Sequence, residues 1–118
     1  MRVKLRRVAH TRSGDKGNTS NVAVIAYSDA LYPALKAQLT AERFHDFYRA
    51  IVRGPVRRYA VDGLGALNFV AEGALGGGVS RNLCLDQYGK TLAAAILEFE
   101  LDIPDELANH LRGNEQRP

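Results

Sequence analysis

One polar segment near the start of the sequence, HTRSGDKGNTSN, His10 to Asn21, concentrates side chains that could take part in chemistry. The segment is longer than the two to about five residues that usually connect two β-strands. Backbone N–H groups at glycine positions can surround an anion, and Arg12 and Lys16 would add positive charge. We therefore predict a site for an anionic ligand here, formed by Arg12, Ser13, Gly14, Asp15, Lys16, Gly17 and Asn18.

The alternative for this segment is a structural turn, in which Asp15, Asn18 and Asn21 bond to their own backbone. A P-loop is excluded because Lys16 is followed by glycine and the segment leads into a strand. His10, Ser13 and Asp15 are residue types of a hydrolytic triad, but adjacency is not triad geometry, and no GxSxG surrounds Ser13. His10 and Asp15 remain candidates for a general base, and whether the chain is an enzyme stays open.

A second glycine-rich segment, GALGGGVSR, contains Gly76, Gly77, Gly78 and Arg81. Three consecutive glycines allow a ligand to approach the backbone closely, although they could also simply end a helix and begin a strand. We predict that these glycines and Arg81 face the first polar segment and complete the ligand site.

Asn68 is the third part of the predicted site. The spacing of Leu64, Leu67, Ala71 and Leu75 predicts a helix from about residue 64 to 75, with Asn68 beside its apolar face and Glu72 four residues on. A buried amide must be hydrogen-bonded. Asn68 therefore either ties down a neighbouring loop or points into the ligand site.

These residues need a scaffold of mixed strands and helices. Pro33 suits the first turn of a helix, and Thr40 suits the N-cap of a second helix. The segment LEFELDI, 97–103, is either a closing strand or the end of a helix. The predicted order is strands 3–9 and 22–27, two helices up to residue 53, strand 56–61, helix 64–75, a strand from Val79 and a helix 90–97. This order predicts an α+β fold, a ferredoxin-like split βαβ sandwich with an added N-terminal strand; a short α/β sheet is the alternative.

Length and composition fit a single small domain. The chain has 118 residues, 46% of them hydrophobic, and we assign 1–104 to one domain and 105–118 to a partly disordered C-terminal extension. The sequence has no apolar run of about 18 residues, no signal peptide in MRVKLRRVA and only one cysteine. We therefore expect a cytoplasmic protein without a membrane segment. The histidines lack metal-ligand spacing, and no RNA-binding strand is recognisable. We therefore predict no metal, cofactor or nucleic acid.

The net charge of +3 is distributed unevenly. Residues 1–16 carry six cationic side chains against Asp15, and residues 98–106 carry five carboxylates without a cation. The basic start suits an anionic ligand, and the acidic end suits a basic partner surface or simply solvent.

Several segments together resemble the AtuA-like ferredoxin-fold domain, the C-terminal part of acyclic terpene utilisation proteins: HTRSGDKGNTSNVAVIA, LTAERF, GPVRRY, ALNFVAEGALGGGVSRNLCLD and GKTLAAAILE. The resemblance runs from about Val8 to Leu101, and its specific marks are RSGDKGN and LNF with ALGGG. It implies a ferredoxin-like fold and a place in bacterial breakdown of branched acyl-CoA compounds. It supplies no catalytic residue.

The resemblance also bears on partners, because this sequence begins without the large preceding domain of the fused form. Our leading hypothesis is a small subunit that assembles with a large AtuA-type chain or with itself and binds an anion, plausibly acyl-CoA. The alternatives are an independent hydratase- or isomerase-like enzyme and a purely structural interaction module.

Overall fold

The computed structural model describes residues 1–16, 19–47, 54–72 and 93–112. Within these ranges there are six strands: β1 (Arg2–Lys4), β2 (Ala9–Lys16), β3 (Thr19–Ala26), β4 (Val56–Val61), β5 (Ala66–Glu72) and β6 (Glu100–Asp102). The α-helices with described bounds are α1 (Tyr32–Gln38) and α2 (Ala41–Phe47), and residues 93–95, within the predicted helix 90–97, are also α-helical. 3₁₀ helices span Leu5–Arg7, Asp62–Leu64, Ile96–Glu98 and Asp105–His110. In the described ranges, no helix has the length and apolar character that crossing a membrane requires.

The main sheet has four strands in the order β2-β3-β5-β4, and every neighbouring pair is antiparallel. Since β3 and β4 are both antiparallel to β5, they run parallel to each other, and the chain passes between them through α1 and α2. This is the split βαβ arrangement, with β5 inserted between the two parallel strands. The predicted α+β ferredoxin-like fold is confirmed, and β2 is the added N-terminal strand of this sheet.

The polar segment after the opening strand is a β-hairpin rather than a long loop. β2 and β3 pair from Ala9 opposite Ala26 to Lys16 opposite Thr19. The predicted first strand, 3–9, is instead divided into β1, a 3₁₀ turn and the start of β2. Polar residues were mistaken for a loop because a strand ladder is built from backbone groups, and a strand at a sheet edge tolerates polar side chains.

The predicted helix 64–75 is also wrong where it is described, because residues 66–72 form β5. Leu67, Phe69 and Ala71 are buried in strict alternation, whereas Leu64 is 73% exposed. The helix-like spacing of Leu64, Leu67 and Ala71 was coincidental. Gly65, with φ of 60°, reverses the chain between β4 and β5 in a conformation that favours glycine.

Other element predictions agree more closely with the structure. β4 has the predicted bounds, Pro33 lies in the first turn of α1, and Thr40 Oγ1 accepts a hydrogen bond from the Arg43 N–H at 3.2 Å, as an N-cap does. LEFELDI combines both alternatives, because the 3₁₀ helix ending at Glu98 is followed by β6. The predicted strand from Val79 lies outside the described residues.

The core fills the space between the two α-helices and one face of the main sheet. Phe44 of α2 stacks on Phe69 of β5, with ring centroids 4.4 Å apart and planes 6° from parallel, and both rings are fully buried. Val22, Val24 and Leu67 line the same sheet face, and Leu35 and Leu39 reach it from α1. Burial of these side chains provides most of the stabilising free energy.

A second, two-stranded sheet joins the chain's beginning to its later part: β1 pairs antiparallel with β6. The basic and acidic stretches of the sequence meet in it. Arg2 pairs with Glu100 and Asp102, Lys4 and Arg6 both pair with Glu98, and the N-terminal ammonium group lies 3.3 Å from Asp105. Three of the six cationic side chains of residues 1–16 are therefore paired with carboxylates of the chain itself rather than directed at a ligand.

Residues 105–112 also make specific contacts with the domain. Ser28 Oγ lies 2.9 Å from His110 Nδ1, and the Arg112 guanidinium lies 4.6 Å from the centre of the Tyr27 ring. The Arg112 N–H donates to the Arg7 carbonyl at 2.9 Å, and Leu107 and Leu111 pack against the core. This part of the assigned C-terminal extension is thus held against the domain, and residues 113–118 lie outside the described ranges.

Candidate functional site

Four residues from all four strands of the main sheet lie in one cross-strand row. Arg12 is opposite Ala23, Ala23 is opposite Asn68, and Asn68 is opposite Tyr59. Residues opposite each other in a sheet share a face, so all four side chains are on the same side. Arg12 and Asn68 are two strand spacings apart, about 10 Å between Cα atoms. The sheet therefore brings together two residues that the sequence analysis had placed in separate segments.

This row belongs to the sheet face opposite the helices, which we call the outer face. The helices lie on the other face, because Phe44 packs on Phe69 and Arg58 donates hydrogen bonds to α1. The described side chains of the outer face are His10, Arg12, Gly14, Asn21, Ala23, Ile25, Arg57, Tyr59, Val61, Ala66, Asn68 and Val70. Arg12, Arg57 and Tyr59 are exposed, whereas Asn21 and Asn68 are half-buried.

The described side chains of the outer face carry a net positive charge. They include two guanidinium groups and no carboxylate. In the described ranges, neither Arg12 nor Arg57 forms an ion pair, in contrast to Arg2, Lys4 and Arg6 near the small sheet. The register also assigns Lys16 and Glu72 to this face, and only their backbone positions are described. The two described guanidinium groups attract anions.

Arg58 shows that this feature is specific to the outer face. It follows Arg57 directly on β4, but it lies on the helix side, where its Nη1 donates to the carbonyls of Lys36 and Leu39 at 2.6 and 3.0 Å. These are carbonyls at the end of α1, which otherwise lack partners within the helix. Arg58 therefore has a structural role, whereas Arg57 remains available at the surface.

Gly14 leaves open space on the outer face beside Arg12. Among the described residues, a Cβ atom added to Gly14 would meet no atom within 4 Å. Gly14 lies in regular strand pairing with Asn21, and among the described residues only Gly65 has a positive φ. The predicted anion-binding loop of successive N–H groups is thus not formed at Gly14; the residue contributes room for a ligand to approach the sheet instead.

The remaining predicted ligand residues do not all join this face. Ser13 alternates to the helix side, opposite Val22. Asp15 and Lys16 lie on β2 opposite Ser20 and Thr19, and only their backbone positions are described. Gly17, Asn18, Gly76, Gly77, Gly78 and Arg81 lie outside the described residues. Whether the triple glycine faces the polar segment therefore stays a prediction.

Three residues of the outer face were missed by the sequence analysis: Asn21, Arg57 and Tyr59. The alternation of VRRYAV already placed Arg57 and Tyr59 on one side of a strand. What was lacking was the identification of β5 as a strand, because only that brings Tyr59 opposite Asn68. Read as two strands around Gly65, the segment from 56 to 72 would have placed Tyr59 opposite Asn68, which is one part of the row.

Comparison with known proteins agrees with this architecture. The family model of the AtuA ferredoxin-like domain matches residues 3–102. The chain belongs to this family. The match contains all the described strands of the main sheet, and hence the whole outer face. Searches among curated proteins and among solved structures found no match.

The two catalytic candidates of this AtuA-like domain are not brought together. His10 and Asp15 are five residues apart on β2, so their positions are on opposite faces of the sheet. The His10 ring stacks on Tyr27, with centroids 5.7 Å apart. No group of three or more His, Cys, Asp or Glu side chains within the described ranges could hold a metal ion.

Two further polar clusters of the AtuA-like domain were not anticipated. Ser28 Oγ, besides contacting His110, accepts the Ala30 N–H at 3.2 Å, which is the geometry of a turn-forming serine. Tyr32 Oη donates to Asp62 Oδ1 at 2.6 Å, and Lys36 Nζ lies 3.0 Å from the same oxygen. Burial first, and then the Asp62 hydrogen bond, raise the pKa of Tyr32 to about 12. The hydrogen bonds from Tyr32 and Lys36 lower the pKa of Asp62.

Proposed function

We propose that this chain is a small AtuA-like subunit that binds an anionic ligand, an acyl-CoA, on the outer face of its main sheet. It assembles with a large AtuA-type chain or with a second copy of itself, and it serves the breakdown of branched acyl-CoA compounds. The observation that supports the proposed ligand binding is the row formed by Arg12, Asn68 and Tyr59. The metabolic setting and the large partner rest on the family alone.

The chemistry of the row matches the parts of a coenzyme A thioester. A guanidinium group binds phosphate with two parallel charge-assisted hydrogen bonds, which suits Arg12, and Arg57 adds a second charge on the same face. The Asn68 amide provides donors and an acceptor close to these charges. The exposed Tyr59 ring offers a flat surface for a heterocyclic base, and the open space at Gly14 lets the ligand approach.

Isothermal titration calorimetry with geranyl-CoA and with free coenzyme A tests the ligand half. We expect wild-type chain to release heat with both, and Arg12→Ala to weaken binding about tenfold or more, because a charged hydrogen bond contributes about 1.5–3 kcal/mol. Arg2→Ala is the matched control: it removes the same charge from the small sheet, where Arg2 pairs with Glu100, and should leave binding unchanged.

Gly14→Val gives a second and independent test. Valine suits a strand, and its Cβ meets no neighbouring atom, so the variant should fold normally. Its side chain nevertheless occupies the space above the outer face, and binding should fall about tenfold or more. If the wild-type chain, alone or with the large chain, releases no heat with geranyl-CoA or coenzyme A, the proposed ligand binding is wrong.

The structural-module alternative predicts a different pattern. In that case Arg12→Ala and Lys16→Ala disturb assembly in sedimentation experiments, while no variant changes ligand binding because there is none. An independent enzyme would instead turn over geranyl-CoA without a partner. The opposite-face positions of His10 and Asp15 speak against a shared acid–base site at those two residues.

A further inference from the structure

One edge of the main sheet combines unpaired backbone with exposed apolar side chains. β4 is the last strand in the order β2-β3-β5-β4, and in the described part of the chain it pairs only with β5. Tyr59 is 51% exposed, Val61 41% and Leu64 73%. These three account for most of the large exposed hydrophobic side chains of the described residues, the others being Met1 and Phe47. An edge of this kind is a template for pairing with another strand.

We propose that β4 pairs antiparallel with β4 of a second copy, in a register centred on Tyr59, so that two four-stranded sheets form one eight-stranded sheet. This inference rests on the self-assembly part of the proposed function and names the surface and the register. Tyr59 and Arg57 also belong to the proposed ligand face, so a base stacked on Tyr59 would compete with the second copy for that ring.

Symmetry restricts the registers that are possible. Two identical antiparallel edge strands are related by a two-fold axis perpendicular to the sheet, which keeps each face on its own side. Residues opposite each other must share a face, so each residue can only be opposite one at an even number of positions away. The axis must therefore lie where one residue is opposite its own copy, for example Arg58 opposite Arg58 or Tyr59 opposite Tyr59. Within Val56–Val61, these two registers place five residues of each strand in the new ladder, and any other places fewer.

Charge and side-chain pairing then select Tyr59 as the centre. A register centred on position 58 would place Arg58 directly opposite its own copy, and like charges in that position are destabilising. Centred on Tyr59, Arg57 lies opposite Val61 of the second copy and Arg58 opposite Ala60, so no two cations face each other. The two Tyr59 rings then form an aromatic cross-strand pair, which is among the favourable pairs in sheets.

The same register explains the exposed apolar side chains. Tyr59 would be covered by Tyr59 of the second copy, and Val61 by the aliphatic part of its Arg57. Residues beyond Val61 would come opposite residues before Arg57, so Leu64 would approach the neighbourhood of Pro55. All three exposed apolar side chains of the β4–β5 hairpin would thereby be removed from water.

Paired substitutions at one site test the register. In sedimentation equilibrium experiments, Val61→Lys should raise the dimer dissociation constant at least tenfold, because lysine would face Arg57 of the second copy. Val61→Glu should keep the dimer at least as stable as in the wild type, because glutamate would face the same arginine. At a concentration at which all three proteins are monomeric, circular dichroism and thermal unfolding of both variants should match the wild type, since Val61 is exposed.

Disulfide formation tests the same geometry without relying on charge. The Cα atoms of two Tyr59 residues would be about 4.5–5.5 Å apart, within the range for a disulfide, so Tyr59→Cys should crosslink on oxidation. Val61→Cys is the control, because its two copies would be about 14 Å apart. Peptide mapping by mass spectrometry separates these links from any link through the native Cys84.

Each outcome is decisive for the inference. A wild-type chain that stays monomeric at about 1 mM, a dimer that responds equally to Val61→Lys and Val61→Glu, or a Val61→Cys link without a Tyr59→Cys link would overturn it. Calorimetry on the same samples separates it from ligand binding. If a monomeric chain releases heat with geranyl-CoA, the proposed ligand site stands and the proposed strand pairing is wrong. If the chain dimerises but releases no heat, only the strand pairing is supported.

Discussion

The side-chain amide of Gln38 makes both of its hydrogen bonds to the backbone of Asp102. Gln38 Nε2 donates to the Asp102 carbonyl at 2.7 Å, and the Asp102 N–H donates to Gln38 Oε1 at 2.7 Å. Gln38 is the last residue of α1 and Asp102 the last residue of β6. The amide imitates a neighbouring strand, and it therefore fastens the small sheet to the helical layer of the domain.

Gln38→Glu should destabilise the domain by about 1 kcal/mol, since the new carboxylate cannot donate to the Asp102 carbonyl and repels it. Gln38→Met, which keeps the length but makes neither hydrogen bond, gives the reference for packing alone. Urea unfolding followed by circular dichroism measures both. A Gln38→Glu variant as stable as the wild type would show that the two hydrogen bonds do not contribute in solution.

Much of the framework could be predicted from the sequence, because local signals agreed with the final structure. The exact alternation in VRRYAV and the N-cap at Thr40 are such signals. The errors came from segments in which the period was ambiguous or the polarity misleading. Leu64, Leu67 and Ala71 fit a helical spacing, and only burial of Leu67, Phe69 and Ala71 in the folded chain shows the period of two.

The candidate site was predictable only in part, because a cross-strand row depends on register. Arg12 and Asn68 were singled out by residue type, but their joint row follows from the pairing of β3 with both β2 and β5. Such pairing depends on contacts between residues far apart in the sequence. For the same reason, the internal neutralisation of Arg2, Lys4 and Arg6 was not visible in the charge pattern.

The buried hydroxyl of Ser20 leads to the prediction that removing it does not destabilise the domain. Ser20 is fully buried on β3, and its Oγ has no hydrogen-bond partner among the described residues. Removing an unsatisfied polar atom from the interior relieves its desolvation cost. Ser20→Ala should therefore be neutral or should stabilise the domain by up to about 1 kcal/mol in urea unfolding.

Ser20→Val provides the matched comparison, because it also removes the hydroxyl but adds volume next to Ala71. Overpacking a filled interior is destabilising, so Ser20→Val should be less stable than Ser20→Ala. A marked loss of stability in Ser20→Ala itself would contradict the prediction and would mean that the hydroxyl is satisfied in the folded protein in solution.

The Tyr32–Asp62 hydrogen bond makes stability depend on pH at both extremes. The folded pKa of Asp62 is lowered from 3.8, so its stabilising contribution is present above about pH 4 and is lost as the pH falls through the lowered value. The pKa of Tyr32 is raised from 10.0 to about 12, so its contribution is present below pH 10 and is lost as the pH rises towards 12.

Tyr32→Phe should remove the Tyr32 effect and reduce the Asp62 effect, because Lys36 still bonds to Asp62. Its stability should fall less steeply than that of the wild type between about pH 9 and pH 11. Urea unfolding across this range measures the difference, and absorbance at about 295 nm should show one tyrosine fewer ionising at high pH. Tyr59→Phe is the control, because Tyr59 is exposed on the outer face. Identical pH profiles for wild type and Tyr32→Phe would refute the assignment.

The pairing of β1 with β6 has a consequence for the order of folding events. The ladder joins residues far apart in the sequence, such as Arg2 and Asp102, whereas the β4–β5 hairpin closes around the short turn at Asp62–Gly65. Closing the longer loop costs more chain entropy, so the small sheet is expected to form after the rate-limiting step. Leu101→Ala should then mainly accelerate unfolding, with a φ-value near zero, while Leu67→Ala in the hairpin should also slow folding.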